Sequence, residues 1–204
     1  MQPRLKGWKR NPKKEHEWLS PAEVKVDILP AGPTLLEAGE IVWPGTGIRM
    51  SLTGMRLALA TARRLDVEVG LSIGIAPVPV IAILKMISYL DRPAERERDL
   101  HDLVHILEKH VPAEDTRRFE PEVLDAGVRY EHASAYLLGR DLRELVNDKE
   151  RRAVDEFLAR GLDEGHPSAM LGRMARLGPA SWGEDPDEVV ARIDAFKQGF
   201  ENLP

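Results

Sequence analysis

Cysteine is absent from this 204-residue sequence. That excludes disulfides, thiolate catalysis and zinc held by Cys, and it fits a reducing, cytoplasmic setting. No secretion signal opens the chain, because the basic start is not followed by an apolar segment. The nearest approach to a membrane span, IGIAPVPVIAILKMISYL at 73–90, is interrupted by Pro77, Pro79 and Lys85, whereas a span takes about 20 apolar residues. No membrane is therefore expected as a partner. A glycine-rich phosphate loop of Rossmann or P-loop type and a G-x-S-x-G elbow are missing as well, so nucleophilic catalysis has no candidate. Excess positive charge is lacking too: the net charge is −5 and the isoelectric point about 5.7, which argues against a general electrostatic grip on nucleic acid. Internal repeats and low-complexity tracts do not occur.

What is present begins with a local exception. RLKGWKRNPKK (4–14) carries Arg4, Lys6, Lys9, Arg10, Lys13 and Lys14 with no acid before Glu15, and Trp8 offers a stacking surface among them. Such a stretch suits RNA contact, or is simply a solvated chain end. Strand signals follow. EHEWL (15–19) and EVKVDILP (23–30), separated by Ser20-Pro21, predict an antiparallel pair, and GEIVWPG (39–45) with GIRMSLTG (47–54) predicts two more short strands. GMRLALATARR (54–64) has helical composition, and LDVEVGLSIGIAP (65–77) reads as two strands around Gly70.

From Pro77 onward helical patterns dominate. Pro79 suits the first turn of a helix running through Ile81, Ile83, Leu84, Met86, Ile87 and Leu90 to Asp91-Arg92-Pro93. AERERDLHDLVHILEKH (94–110) places Leu100, Leu103, Val104 and Leu107 on one face. YEHASAYLLGRDLRELV (130–146) buries a broader one, comprising Ala133, Ala135, Leu137, Leu138 and Leu142. DKERRAVDEFLARGL and DPDEVVARIDAFKQGF complete the helical half, joined by a Gly/Pro/Ser-containing stretch around 161–186. Strands first and helices afterwards predict an α+β protein: a small mixed β-sheet followed by a helical bundle. The expected division is a strand-rich part over 1–76 and a helical part over 77–204, packed together as one unit.

Six residues are weighed for chemistry. VKVDILPAG (24–32) reads as a buried strand, and alternation puts Asp27 on the face of Lys25 and Leu29, away from Val24, Val26 and Ile28. Lys85, inside VIAILKMISYL, either snorkels to water or is held as a point charge suited to phosphate. Asp99 and Asp102, three apart on a helix, either hold Mg²⁺ or pair with Arg96 and Arg98 nearby. HDLVH puts His101 and His105 four apart with Asp102 where a zinc protease has Glu; no third ligand is evident, and two exposed helical histidines are the simpler reading.

Several of these pieces together resemble one family. VKVDILPAG, GEIVWP, MSLTGMRLAL, VPVIAILKMISYLDRPAERERDLHDLVHIL and ASAYLLGRDL follow, in order and spacing, the pattern of bacterial nucleotidyltransferases similar to the AbiEii abortive-infection toxins, over residues 7 to 146. The resemblance implies a polymerase-beta-like, Mg²⁺-dependent transfer of a nucleotide from an NTP to an acceptor, RNA being a candidate. It implies that Asp27 is the third metal carboxylate and that Lys85 lies near the triphosphate, in a K-x-x-A motif reading Lys85-Met86-Ile87-Ser88 here. It also implies that Asp99 and Asp102 form the later acidic motif, one contributing to the site and the other to the helix framework. Two Mg²⁺ ions held by clustered acids would activate the attacking hydroxyl and stabilise the departing pyrophosphate.

The family pattern also has a Gly-Ser turn and a D-x-D strand ahead of the segment corresponding to GWKRNPKKEHEW. Upstream of Asp27 this sequence holds only Glu15, Glu17 and Glu23 as acids, and none forms D-x-D on a strand. Three accounts follow: Met1 is an internal start of a longer product, the protein is a degenerate member kept for binding, or another subunit supplies the missing part. A truncated sheet exposes an edge or an apolar face, which favours a homodimer or capture of a partner. Two function classes result. One is a nucleotidyltransferase acting on a nucleotide; the other is a non-catalytic interaction protein with an antitoxin-like partner in a toxin–antitoxin-like system.

Overall fold

A computed structural model describes residues 6–162 and 169–201, so Arg4 of the basic stretch lies outside the described residues. The chain divides into two compact units, residues 1–55 and 56–204. Its class is α+β, as the order of strand and helix signals predicts, and the strands lie in three small antiparallel sheets.

In the first unit, β1 (Lys9–Arg10), β2 (Glu17–Leu19) and β3 (Lys25–Asp27) form a meander with Trp18 opposite Val26 and Glu17 opposite Asp27. A short helix, α1 (Pro33–Ala38), follows; Pro33 stands in its first turn, and Gly39, at φ +74°, ends it by donating its N–H to the Leu35 carbonyl at 2.9 Å. β4 (Glu40–Val42) then pairs with β5 (Arg49–Ser51). The core here is small: Ile41, Trp43 and Leu52 are buried, with Leu29, Leu35 and Met55 packed against them.

Glu15 holds this unit's loops together. Its Oε1 accepts from the backbone N–H groups of Gly45 and Thr46, each at 2.8 Å, and its Oε2 from Arg10 Nη2 at 2.7 Å. Burial alone would raise the Glu15 carboxyl, but the hydrogen bonds from Thr46, Arg10 and Gly45 outweigh it and hold the group below the usual range. Gly45 permits the approach, since a Cβ there would stand 3.0 Å from the carboxylate.

In the second unit α2 (Met55–Thr61), whose first residue belongs to the first unit, precedes the hairpin β6 (Arg63–Glu68) and β7 (Leu71–Ile75). Gly70, at φ +81°, closes its turn, as the two-strand reading around that glycine requires. Leu65 pairs with Ile73 and Arg63 with Ile75, while Arg64 and Asp66 pair with Gly74 and Ser72. One face is therefore apolar and the other polar. The apolar side chains are nonetheless open to solvent, at 50% for Leu65, 46% for Leu71 and 44% for Ile73.

The remaining helices are α3 (Val78–Asp91), α4 (Glu97–Lys109), α5 (Pro121–Asp125), α6 (Ala133–Arg143), α7 (Asp148–Gly161), α8 (Ala169–Leu177) and α9 (Pro186–Glu201). The apolar faces read for α4 and α6 are buried residue for residue. They meet Ile83 and Met86 of α3, Phe157 of α7, and Phe196 and Phe200 of α9 in one core. No helix among the described residues is long and apolar enough to cross a membrane. Arg192, 4% exposed, is a charge buried against the core. It is held by Glu188 and Glu108 and lies 4.4 Å over the Trp182 ring, so its burial is compensated.

Candidate functional site

α3 is apolar on most of its circumference, and packing of Val80, Ile83, Met86 and Tyr89 fixes its rotation. That leaves Lys85 on its flank, half-buried, facing the start of α4. The ammonium does not snorkel to water. Nζ donates to Asp99 Oδ1 at 3.0 Å and to Asp102 Oδ2 at 2.6 Å. Burial alone would lower the Lys85 pKa, but the hydrogen bonds to Asp102 and Asp99 outweigh it, and the value is raised.

Asp99 is the more enclosed acid, 6% exposed, in the first turn of α4, where a carboxylate also suits the helix dipole. Its Oδ2 is shielded from solvent and has no hydrogen-bond partner. Asp102 is more open, with its side chain 36% exposed. The pairing of both acids with Arg96 and Arg98, which local spacing favours, gives way to Lys85. Packing of α3 on α4 brings that lysine between them, and spacing along one helix cannot register a neighbour from another. Lys85, Asp99 and Asp102 thus form one cluster on the second unit.

Asp27 belongs to the first unit. The expectation that it sits in a buried strand is corrected: β3 is exposed at both Lys25 and Asp27, and the flanking Val24 and Ile28 are 57% and 44% open. The short sheet leaves these side chains open, so alternation separates two faces that both meet solvent. Directly across the ladder stands Glu17, an acid that residue order alone did not connect to Asp27. Like charges in that register repel. Glu17 is relieved by Asn11 Nδ2, which donates to Oε1 at 2.6 Å, and by Lys25 and Lys14; these outweigh burial, which alone would raise it, and its pKa is lowered.

Whether these side chains suit a two-metal centre can be tested on the donor set. Among the described residues no group of three or more His, Asp or Glu side chains is gathered to hold a metal ion. Asp27 has one carboxylate opposite it, and that one is engaged by Asn11; Asp99 and Asp102 share a lysine. The described residues do not furnish a two-metal clamp. His101 and His105 of the HDLVH segment meet each other, with ring centroids 4.5 Å apart.

Comparison with known families gives a match. A family model described as nucleotidyl transferase AbiEii toxin, type IV TA system, matches residues 8–198. The match runs past residue 146 through α7, α8 and most of α9, so it includes both the small sheets and the helical bundle. No curated protein matches the chain, and no solved structure does. With nearly the whole length accounted for by one family, from β1 to α9, the chain belongs to the AbiEii nucleotidyl transferase toxins of type IV toxin–antitoxin systems.

Proposed function

We propose that this chain is a nucleotide-binding, nucleotidyltransferase-like toxin component that acts in the reducing cytoplasm, with a cognate antitoxin as its partner. The observation that carries the reading is the Lys85 cluster: a charged lysine, half-buried on α3, held in place by Asp99 and Asp102 of α4. It lies within the segment matched by the family. A held ammonium beside an open carboxylate is a ready point charge for a triphosphate, which would displace Asp102 more easily than the buried Asp99. Mg²⁺ in this reading arrives with the NTP. RNA is the proposed acceptor, supported by exposed Lys6, Lys9, Arg10, Lys13 and Lys14 at the first unit's edge.

A second reading is favoured by the same ion pairs. Lys85 already has two acids as partners, so the cluster is also a sufficient clamp between α3 and α4 in a non-catalytic member, acting as a homodimer or through a protein partner. One assay separates the two. The purified chain is incubated with labelled NTPs, Mg²⁺ and total RNA, alongside Asp27→Ala and Lys85→Ala. Transfer predicts label in RNA that both substitutions reduce by at least tenfold. Label no higher than in the Asp27→Ala control overturns transfer by this chain and leaves the interaction reading.

A further inference from the structure

The two histidines of the HDLVH segment have no part in the reading above, yet their imidazoles lie together. Leu100, Leu103, Val104 and Leu107 bury the opposite face of α4, which fixes the turn between residues 101 and 105 while leaving both rings open to solvent. His105 is exposed, and the His101 side chain is 44% exposed. Their Nε2 atoms lie 3.2 Å apart, and the rings stand at 80° to each other.

That separation is what one metal ion asks of two histidines. With each nitrogen about 2.0–2.1 Å from a shared ion, the nitrogens are about 2.9 Å apart at a square-planar angle and about 3.4 Å apart at a tetrahedral one. Ligation through Nε2 requires the proton to sit on Nδ1. His101 Nδ1 lies 3.9 Å from Asp102 Oδ1, beyond hydrogen-bond distance, so the carboxylate does not hold the ring. The other oxygen of that carboxylate holds Lys85.

We propose that His101 and His105 form a two-histidine chelate on the surface of α4 for a borderline divalent transition metal such as Zn²⁺, Ni²⁺ or Cu²⁺, with solvent completing the coordination.

Calorimetric titration of the tag-free, chelator-treated chain with Zn²⁺, and electron paramagnetic resonance of the Cu²⁺ form, test the site. The expected result is one Zn²⁺ per chain and a Cu²⁺ spectrum with coupling to two imidazole nitrogens. His101→Ala and His105→Ala, both solvent-facing and neutral to folding, should each weaken binding at least tenfold and remove one nitrogen from the spectrum. Asp102→Asn, a change outside the two ligands, should keep both nitrogens. Equal affinity in the parent and the histidine variants, or no binding by the parent, overturns the site and leaves a hydrogen-bonded histidine pair only. Neither outcome depends on NTP transfer.

Discussion

Gly139 of α6 and Gly199 of α9 occupy one helix crossing, each set against the other helix's backbone. A Cβ on Gly139 would collide with the carbonyl oxygen of Phe196, and a Cβ on Gly199 with that of Tyr136. Two helix axes approach this closely only where side chains are missing from both. Replacing either glycine by alanine forces the helices apart and unpacks Tyr136, Phe196 and Phe200. Gly139→Ala and Gly199→Ala should each lower stability by about 3 kcal/mol, read as an earlier urea midpoint with the helical signal of the native state retained.

Lys85 gives a second prediction, with a defined sign in pH. Lys85→Ala leaves the Asp99 carboxylate enclosed without its ammonium, and should destabilise by about 2 kcal/mol. Because the folded pKa of Lys85 is raised, the stability it contributes is fully present below its unfolded value, about 10.4. It is lost as pH rises through the folded value. Urea midpoints should therefore fall above that range more steeply in the parent chain than in Lys85→Ala.

Much of this architecture could be read from residues in order. Period and breakers locate α3, α4, α6 and α9, and Gly70 marks the hairpin, because these are local signals. α8 lay hidden in what reads as a Gly/Pro/Ser-containing connection: Gly172 sits within it and Gly178 follows it, so its apolar Met170, Leu171, Met174 and Ala175 look like loop content until α9 packs on them. β1 is two residues long and exists only because β2 pairs with it. The site was legible in part for the same reason. Lys85, Asp99 and Asp102 are conspicuous singly, whereas their mutual pairing depends on how α3 lies against α4, and Glu17 facing Asp27 depends on register.

Asp141 supplies an acid-side counterpart to Lys85. Its Oδ2 lies 2.7 Å from His110 Nε2 and 3.0 Å from Arg117 Nη1. Burial alone would raise this carboxyl, but those partners outweigh it and its pKa is lowered. Its contribution is present above the unfolded value, about 3.9, and fades as pH falls through the lower folded value. Asp141→Asn should thus destabilise the chain at neutral pH and flatten the loss of thermal midpoint measured below about pH 4.

Glu15→Gln tests the loop anchor of the first unit. The amide keeps the shape but loses the charge that Arg10 answers and weakens acceptance from Gly45 and Thr46. Amide exchange at Gly45 and Thr46 should accelerate several-fold, while amides of β3 change little. Unchanged exchange at both positions would mean that the β4–β5 turn holds without Glu15.

The β6–β7 hairpin carries a consequence for the motions of the chain. Its ladder is closed by backbone hydrogen bonds, yet Leu65, Leu71 and Ile73 gain little from burial, and a lone two-stranded ribbon is marginally stable in water. Its opening therefore requires no disturbance of the helical core. Deuterium should enter residues 63 to 75 through local fluctuations, on a timescale set by the hairpin, while α4, α6 and α9 wait for the whole unit to unfold.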